Sequence, residues 1–311
     1  MKKGLLWMML VALAAFMVAC STESPVDEGN AEGGTSEGGD GDFTVGLSIS
    51  TLNNPFFVTL QEGAEAKAEE LGVDLITVDA QDDDAKQISD VEDLIQRGVD
   101  LILINPTDST SVTSAIAAAN AAGIPVITVD RGAEGGEVAS HIASDNVAGG
   151  EMAGELLKEL VGEGAEVAEL EGIPGSSAAR ERGEGFHNVA EGSLEVAAKQ
   201  TANFNRAEGL TVMENILQSN PEITGVFAHN DEMALGALEA IDAAGRDDIV
   251  IVGFDATDDA VAAVEAGRLA GTVAQQPTLI GETAVATAFS VLSGDDVEEF
   301  IPVDLELVTN E

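Results

Sequence analysis

Two phenylalanines stand side by side in Ser50-Thr51-Leu52-Asn53-Asn54-Pro55-Phe56-Phe57, beside amide side chains and at a junction from strand to helix. The chain is sparing with rings: it has no Tyr, and its one Trp, Trp7, lies near the N-terminus. In α/β proteins, ligands bind beyond the carboxyl ends of the strands. Flat apolar faces beside hydrogen-bonding groups suit a molecule with C–H faces and a hydroxyl rim, as a sugar has. A Phe pair packed in the core at the start of a helix fits the same residues. Both readings stand at this point.

Other strand ends carry groups that a strand core does not demand. Leu101–Ile104 leads into Asn105-Pro106-Thr107-Asp108, and Ile124–Val129 into Asp130-Arg131-Gly132. Val226–Ala228 leads into His229-Asn230-Asp231, and Ile249–Val252 into Gly253-Phe254-Asp255. A single Asp, Asn or Thr in such a place serves as a helix N-cap, and Asp108, Asp231 and Thr257 fit that role. Four strand ends with one chemistry suggest a polar rim. Arg131 adds a cation beside Asp130, and Arg180 and Arg182 fall at the start of a helix. The helix dipole disfavours cations there. They call for a specific partner, or for an ion pair with Glu181 or Glu184.

No catalytic constellation accompanies these groups. His141, His187 and His229 are dispersed, without metal-ligand spacing. The chain has no nucleophile elbow and no phosphate loop, and Asp82-Asp83-Asp84 lacks the calcium-loop pattern. A binding protein without cofactor or metal is therefore expected rather than an enzyme.

The elements that must hold these residues alternate from Phe43 onward. Strand patterns fall at 43–49, 73–79, 100–104, 125–129, 166–170, 223–228, 249–254 and 270–274. Amphipathic segments near 57–71, 83–97, 110–122, 147–161, 177–191, 206–218, 232–244, 257–267 and 278–292 separate or follow them. Such alternation builds doubly wound parallel sheets of the α/β class. About 270 residues exceed one comfortable core, so two lobes are expected. Six βα units, counted generously, precede residue 145. The last helix and a strand near 301–308 fit either lobe.

The ends and the charge speak of location. Residues 1–20 form a leader: Lys2 and Lys3, then an apolar run from Leu5 to Ala19 that is short for a membrane span. Met17-Val18-Ala19-Cys20 resembles a lipoprotein lipobox, with Met in place of the usual Leu. It marks Cys20, the one cysteine, as the lipidation site; an ordinary secretory signal is the other reading, and both export the protein. Residues 21–42 are rich in Gly, Ser and acids and read as a flexible tether. The chain has 57 acidic against 13 basic residues. Beyond Ala19 it carries −46, of which the tether holds −7. That balance excludes nucleic acid and anionic membrane as partner surfaces, because both require basic patches. Self-repulsion of this size is screened at about 1 M salt, where the Debye length is roughly 3 Å, so a halophilic source is expected.

At this point a resemblance can be stated. The strings STLNNPFFV, LINPTDS, IPVITVDR, SHIASDN, SAARERGEGF, FAHNDEMALGAL, IVGFD and PVDLELV closely resemble the periplasmic sugar-binding proteins of bacterial ABC importers, type I fold. The likeness runs from about Phe43 to the C-terminus and implies D-ribose as ligand. It implies one lobe from 43–144 plus 276–304 and another from 145–275 plus 305–311, joined by a hinge near 144–145, 275–276 and 304–305. It places Asn54, Phe56, Phe57, Asn105, Asp130 and Arg131 on one wall of the cleft. Arg182, Phe204, Asn230, Phe254 and Asp255 form the other wall, with Gln275 at a hinge crossing. Phe56, Phe57 and Phe204 would sandwich a pyranose, while the acids and arginines bond its hydroxyls. His229 departs from the neutral amide common there, which would alter the pH response slightly. The resemblance also implies an ABC permease as partner, a chemotaxis receptor as a further candidate, and a monomer outside the cytoplasmic membrane, as a lipid-anchored protein at the cell surface or in the periplasm. Two other classes are weaker. A repressor of related fold needs a helix-turn-helix and a basic face. A hydrolase would return its sugar changed. Within the binding class, allose or galactose competes with ribose.

Overall fold

The computed structural model describes residues 43–310. The leader, Cys20 and the tether lie outside the described residues. Within them the chain forms two parallel-dominated sheets, each covered by helices on both faces, as the alternation predicts.

The first sheet begins with β1 (Thr44–Ile49), α1 (Pro55–Leu71), β2 (Asp74–Asp79), α2 (Asp84–Arg97), β3 (Leu101–Ile104), α3 (Thr113–Ala121), β4 (Val126–Val129) and β5 (Ser140–Ser144). The chain then builds α4 (Asn146–Val161), β6 (Glu166–Glu171), α5 (Ser177–Ala190), β7 (Glu195–Thr201), α6 (Arg206–Ser219), β8 (Gly225–Ala228), α7 (Asp231–Ala243), β9 (Val250–Asp255), α8 (Asp258–Glu265) and β10 (Gly271–Ala274) in the second lobe. It returns with α9 (Pro277–Ser293) and β11 (Phe300–Val303) to the first lobe, and ends with β12 (Glu306–Thr309) in the second. The strand orders are β11-β5-β4-β3-β1-β2 and β12-β10-β9-β8-β6-β7. Among the described residues, only β12 runs antiparallel to its neighbour, β10. In each sheet the order reverses between two strands, β1 and β3 in one and β6 and β8 in the other. Ligands of open α/β sheets sit at that reversal.

Alternation of side chains places the core. Val45, Leu47 and Ile49 of β1 join Leu101 and Leu103 of β3 against α1 and α9. Ile102 and Ile104 point the other way, into the cluster under α2 and α3. The second sheet repeats this two-sided burial. Helices α4 and α5 approach so closely that a Cβ on Gly185 would stand 2.0 Å from the Val147 carbonyl oxygen. That contact anchors the helix that carries Arg182.

Several expectations need correction. Among the described residues, five strands and three helices precede Asp145, fewer than six βα units, because β4 joins β5 through an irregular stretch. β5 and β7 escaped the sequence pattern: β5 reads Ser-His-Ile-Ala-Ser, and β7 carries Glu, Lys and Gln on an exposed edge, residues of low strand preference. The strand near 301–308 is two strands, one in each sheet. Asp231 is not the cap of α7. Asn230 takes that place, its Oδ1 accepting from the Met233 N–H at 3.0 Å. Thr257 holds the cap position of α8 but makes no side-chain capping bond. Asp108 does cap its turn, accepting from the N–H groups of Thr110 and Ser111.

Candidate ligand-binding cleft

The carboxyl ends of both sheets face one another across a small cavity. It is lined by Asn54, Phe56, Phe57, Asp130, Arg131, Ala178, Arg182, Phe204, Asn230, Asp255 and Gln275. Ten of these are residues that the sequence singled out. Ala178 was missed, since an alanine in the first turn of α5 carries no chemical signal. Asn105 and Phe254 stand one layer behind the lining. The side-chain Nδ2 of Asn105 donates to the Val129 carbonyl at 3.0 Å and to Asp130 Oδ2 at 3.3 Å, and its Oδ1 accepts from the Ser50 N–H at 3.2 Å. Asn105 thus ties the ends of β1, β3 and β4. The ring of Phe254 lies 3.8 Å below the Arg182 guanidinium.

The Phe56–Phe57 pair answers to both of its readings. The rings meet edge to face, 5.2 Å apart at 86°. Both belong to the core beneath α1, and both line the cavity. Asn54 starts the helix, its Oδ1 accepting from the Phe56 N–H at 3.0 Å. Phe204 arrives from the other lobe, and the Arg131 guanidinium lies 5.0 Å from the Phe57 ring and 5.2 Å from the Phe204 ring. Gly172 makes room for that ring, since a Cβ there would sit 2.1 Å from it.

The backbone is strained where the polar groups enter. Asp130, Phe204 and Asp255 have φ of 64°, 57° and 114°. Non-glycine residues at such angles cost about 1–3 kcal/mol each and cluster at binding sites.

Two acid–arginine pairs balance the charge of the cavity. Arg131 Nε lies 3.7 Å from Asp130 Oδ2, and Arg182 Nη1 lies 3.6 Å from Asp255 Oδ1. Arg182 is further held by Asn146 Oδ1 at 2.9 Å and the His229 carbonyl at 2.6 Å. Burial pushes the Asp130 and Asp255 carboxyls above their ordinary range, against the pull of the arginines. Burial also lowers Arg131, which stays protonated as arginines do. Gln275 Nε2 donates to Asp255 Oδ1 at 2.9 Å. Among the described residues, Asp130 Oδ1, Arg131 Nε and Gln275 Oε1 are buried without a hydrogen-bond partner. Most buried polar atoms in proteins are paired, and these three belong to residues that line the cavity.

Arg180 pairs with neither Glu181 nor Glu184 but with Glu134 of the first lobe, at 3.0 Å. His229 is fully buried. Its Nδ1 accepts from the Gly172 N–H at 3.4 Å, so its Nε2 donates to Glu169 Oε1 at 3.0 Å. His187 Nε2 lies 2.8 Å from the other Glu169 oxygen, without hydrogen-bond alignment. Burial works to raise Glu169, but His229, His187 and Lys199 outweigh it and hold the carboxyl low. Among the described residues no His, Cys, Asp and Glu group could hold a metal ion.

A two-lobed α/β frame with a charge-balanced cavity at both sheet reversals is the architecture of a solute-binding protein. The family model described as periplasmic binding protein domain matches residues 45–296, and the chain belongs to that family. Ribose import binding protein RbsB of Bacillus subtilis (strain 168) is 54% identical over 301 residues, 96% of this chain and 97% of that one. Among solved structures, an ABC transporter solute-binding protein from Mycobacterium smegmatis with bound glycerol aligns with a TM-score of 0.84 and 37% identity, covering 87% of this chain and 95% of that one. Another, from Actinobacillus succinogenes 130z with bound D-allose, aligns at 0.81 and 31%, covering 86% and 98%.

Proposed function

We propose that the protein captures D-ribose between its lobes outside the cytoplasm and delivers it to the permease of an ABC importer. The observation that carries this is the cavity lining itself: three rings, two acid–arginine pairs and three unpartnered polar atoms. A sugar places C–H faces against Phe56, Phe57 and Phe204. Its hydroxyls donate to Asp130 and Asp255 and accept from Arg131, Arg182 and Asn230. Charge-assisted bonds of this kind are about twice as strong as neutral ones. A misplaced hydroxyl leaves a buried group unpaired, which is how such a site rejects an epimer.

The mechanism is capture followed by closure. The chain passes between sheets after β5, after β10 and after β11, and these passages serve as the hinge. Contacts from both walls to one ligand favour the closed form, which the permease reads. The acidic lobe rims are suited to basic loops on the permease. Cys20 provides the lipid anchor, the tether spaces the domain from the membrane, and no chemical step is performed on the sugar.

Isothermal titration with a panel of pentoses and hexoses tests the reading. Tight binding of ribose alone is expected. Preference for allose or galactose would move the specificity within the same class, a reading favoured by the allose-bound neighbour. Recovery of a chemically altered sugar would overturn the binding role.

A further inference from the structure

The Asp255 carboxylate reaches the cavity from a turn that cannot hold its own shape. Asp255 and the next residue, Ala256, both have positive φ, 114° and 55°, and neither is glycine. The turn links β9 to α8, and Thr257 gives α8 no side-chain cap. Something outside the turn must therefore fix it.

That support comes from one buried carboxylate. Asp231 opens α7 and is fully buried. Its Oδ2 accepts from the Thr257 N–H at 2.8 Å and from Thr257 Oγ1 at 3.2 Å. Its Oδ1 accepts from Thr272 Oγ1 at 2.7 Å. Thr272, also fully buried, in turn accepts from the Ala256 N–H at 3.2 Å. The backbone on the far side of Asp255 is thus clasped at two consecutive amides. Asp231 does not line the cavity; one of its oxygens bonds the turn at Thr257 and the other bonds Thr272 of β10. Its neighbour Asn230 caps the helix and lines the cavity, so the adjacent residues divide the work.

We propose that Asp231 is a positioning residue: with Thr272 it holds the strained 255–257 turn and so aims the Asp255 carboxylate at Arg182 and at the ligand. The inference rests on the sugar-binding reading of the cleft. Burial pushes the Asp231 carboxyl up to about 7, against the hydrogen bonds it accepts from Thr257 and Thr272. Asparagine, which keeps the side chain's shape, is the conservative replacement. Its Oδ1 can accept from the Thr257 N–H, and its Nδ2 can donate to Thr272 Oγ1, which has a lone pair to spare.

The test is ribose titration of Asp231→Ala and Asp231→Asn, each alone and combined with Asp255→Ala. Asp231→Ala should weaken binding about tenfold or more, the scale of coupling between groups in one network. Asp231→Asn should stay within about threefold of the parent. In the Asp255→Ala background, Asp231→Ala should add no further loss, because its route to the ligand has been removed. Equal losses in both backgrounds, or an Ala variant that binds like the parent, overturn the proposal. If Asp231→Ala does not fold, Thr272→Val carries the same expectations. Amide exchange at Ala256 and Thr257 should speed up in either variant, and unchanged exchange overturns the clasp. A parent protein that binds no sugar would sink the sugar reading instead, while the exchange comparison, which needs no ligand, would still decide whether Asp231 holds the turn.

Discussion

Glu134 and Arg180, one from each lobe, meet at 3.0 Å on the rim of the cleft. Arg180 also donates to the Gly175 carbonyl at 3.0 Å. Beside this pair the Ser109 N–H donates to the same Gly175 carbonyl at 2.9 Å, and the Gly132 N–H donates to Ser177 Oγ at 2.8 Å. None of these groups lines the ligand cavity, so they contribute to closure without touching the ligand.

Glu134→Gln should therefore weaken ribose binding modestly and in a salt-dependent way. Both side chains are about half exposed, and pairs of this kind contribute about 0.2–1 kcal/mol. Titration at low salt should show a loss of at most about fivefold. Repeating it near 1 M NaCl should erase the difference, since the Debye length falls to about 3 Å.

Asp130→Ala strikes the cavity itself. It leaves the buried Arg131 guanidinium without its carboxylate and takes an acceptor from the ligand. Truncating one partner of a buried, hydrogen-bonded charge pair costs about 2–5 kcal/mol in binding. Calorimetry should show a drop of at least about thirtyfold. Near-native affinity would remove Asp130 from the site.

The sequence already exposed much of this. The ring pair, the acids and the arginines of the cavity were visible because their types are rare or costly where they stand. Asn105 and Phe254 were visible for the same reason, yet they act through Asp130 and Arg182, and only three-dimensional layering separates a wall from its support. Ala178 had no signal at all. The role of Asp231 was hidden by its fit to a simpler job, the helix cap, which its neighbour performs. The two-lobed fold followed from alternation, but β5 and β7 did not, because pairing in a sheet overrides their weak strand preference.

His229 sets a pH dependence of stability. Burial depresses its folded pKa below 6.5, with Glu169 pulling the other way. The unfolded chain takes up a proton near 6.5 while the folded chain keeps the ring neutral. Its contribution to stability is thus present above about 6.5 and is lost as the pH falls below that value. Gln at this position can accept from the Gly172 N–H and donate to Glu169. His229→Gln should flatten the decline in melting temperature between pH about 6.5 and 5. Parallel profiles for parent and variant would show that another group, such as His141, controls that limb.

The acidic surface predicts a dependence on salt. The chain carries −44 overall, and self-repulsion destabilises a compact state at low ionic strength. The melting temperature should climb steadily as NaCl is raised from millimolar to molar. Full stability in dilute buffer would refute a halophilic habitat.

The threading of the chain between the lobes has a consequence for how it folds. The first lobe begins at β1, but it is completed only by α9 and β11, after the entire β6–β10 series has been made. In the finished sheet Phe300 pairs with His141, and α9 lies along α1. Until the last residues emerge, β5 presents an unpaired edge and the apolar face of α1 lacks its cover. Contacts so distant in sequence form slowly. Loss of residues 300–310 would remove β11 and β12, one strand from each lobe.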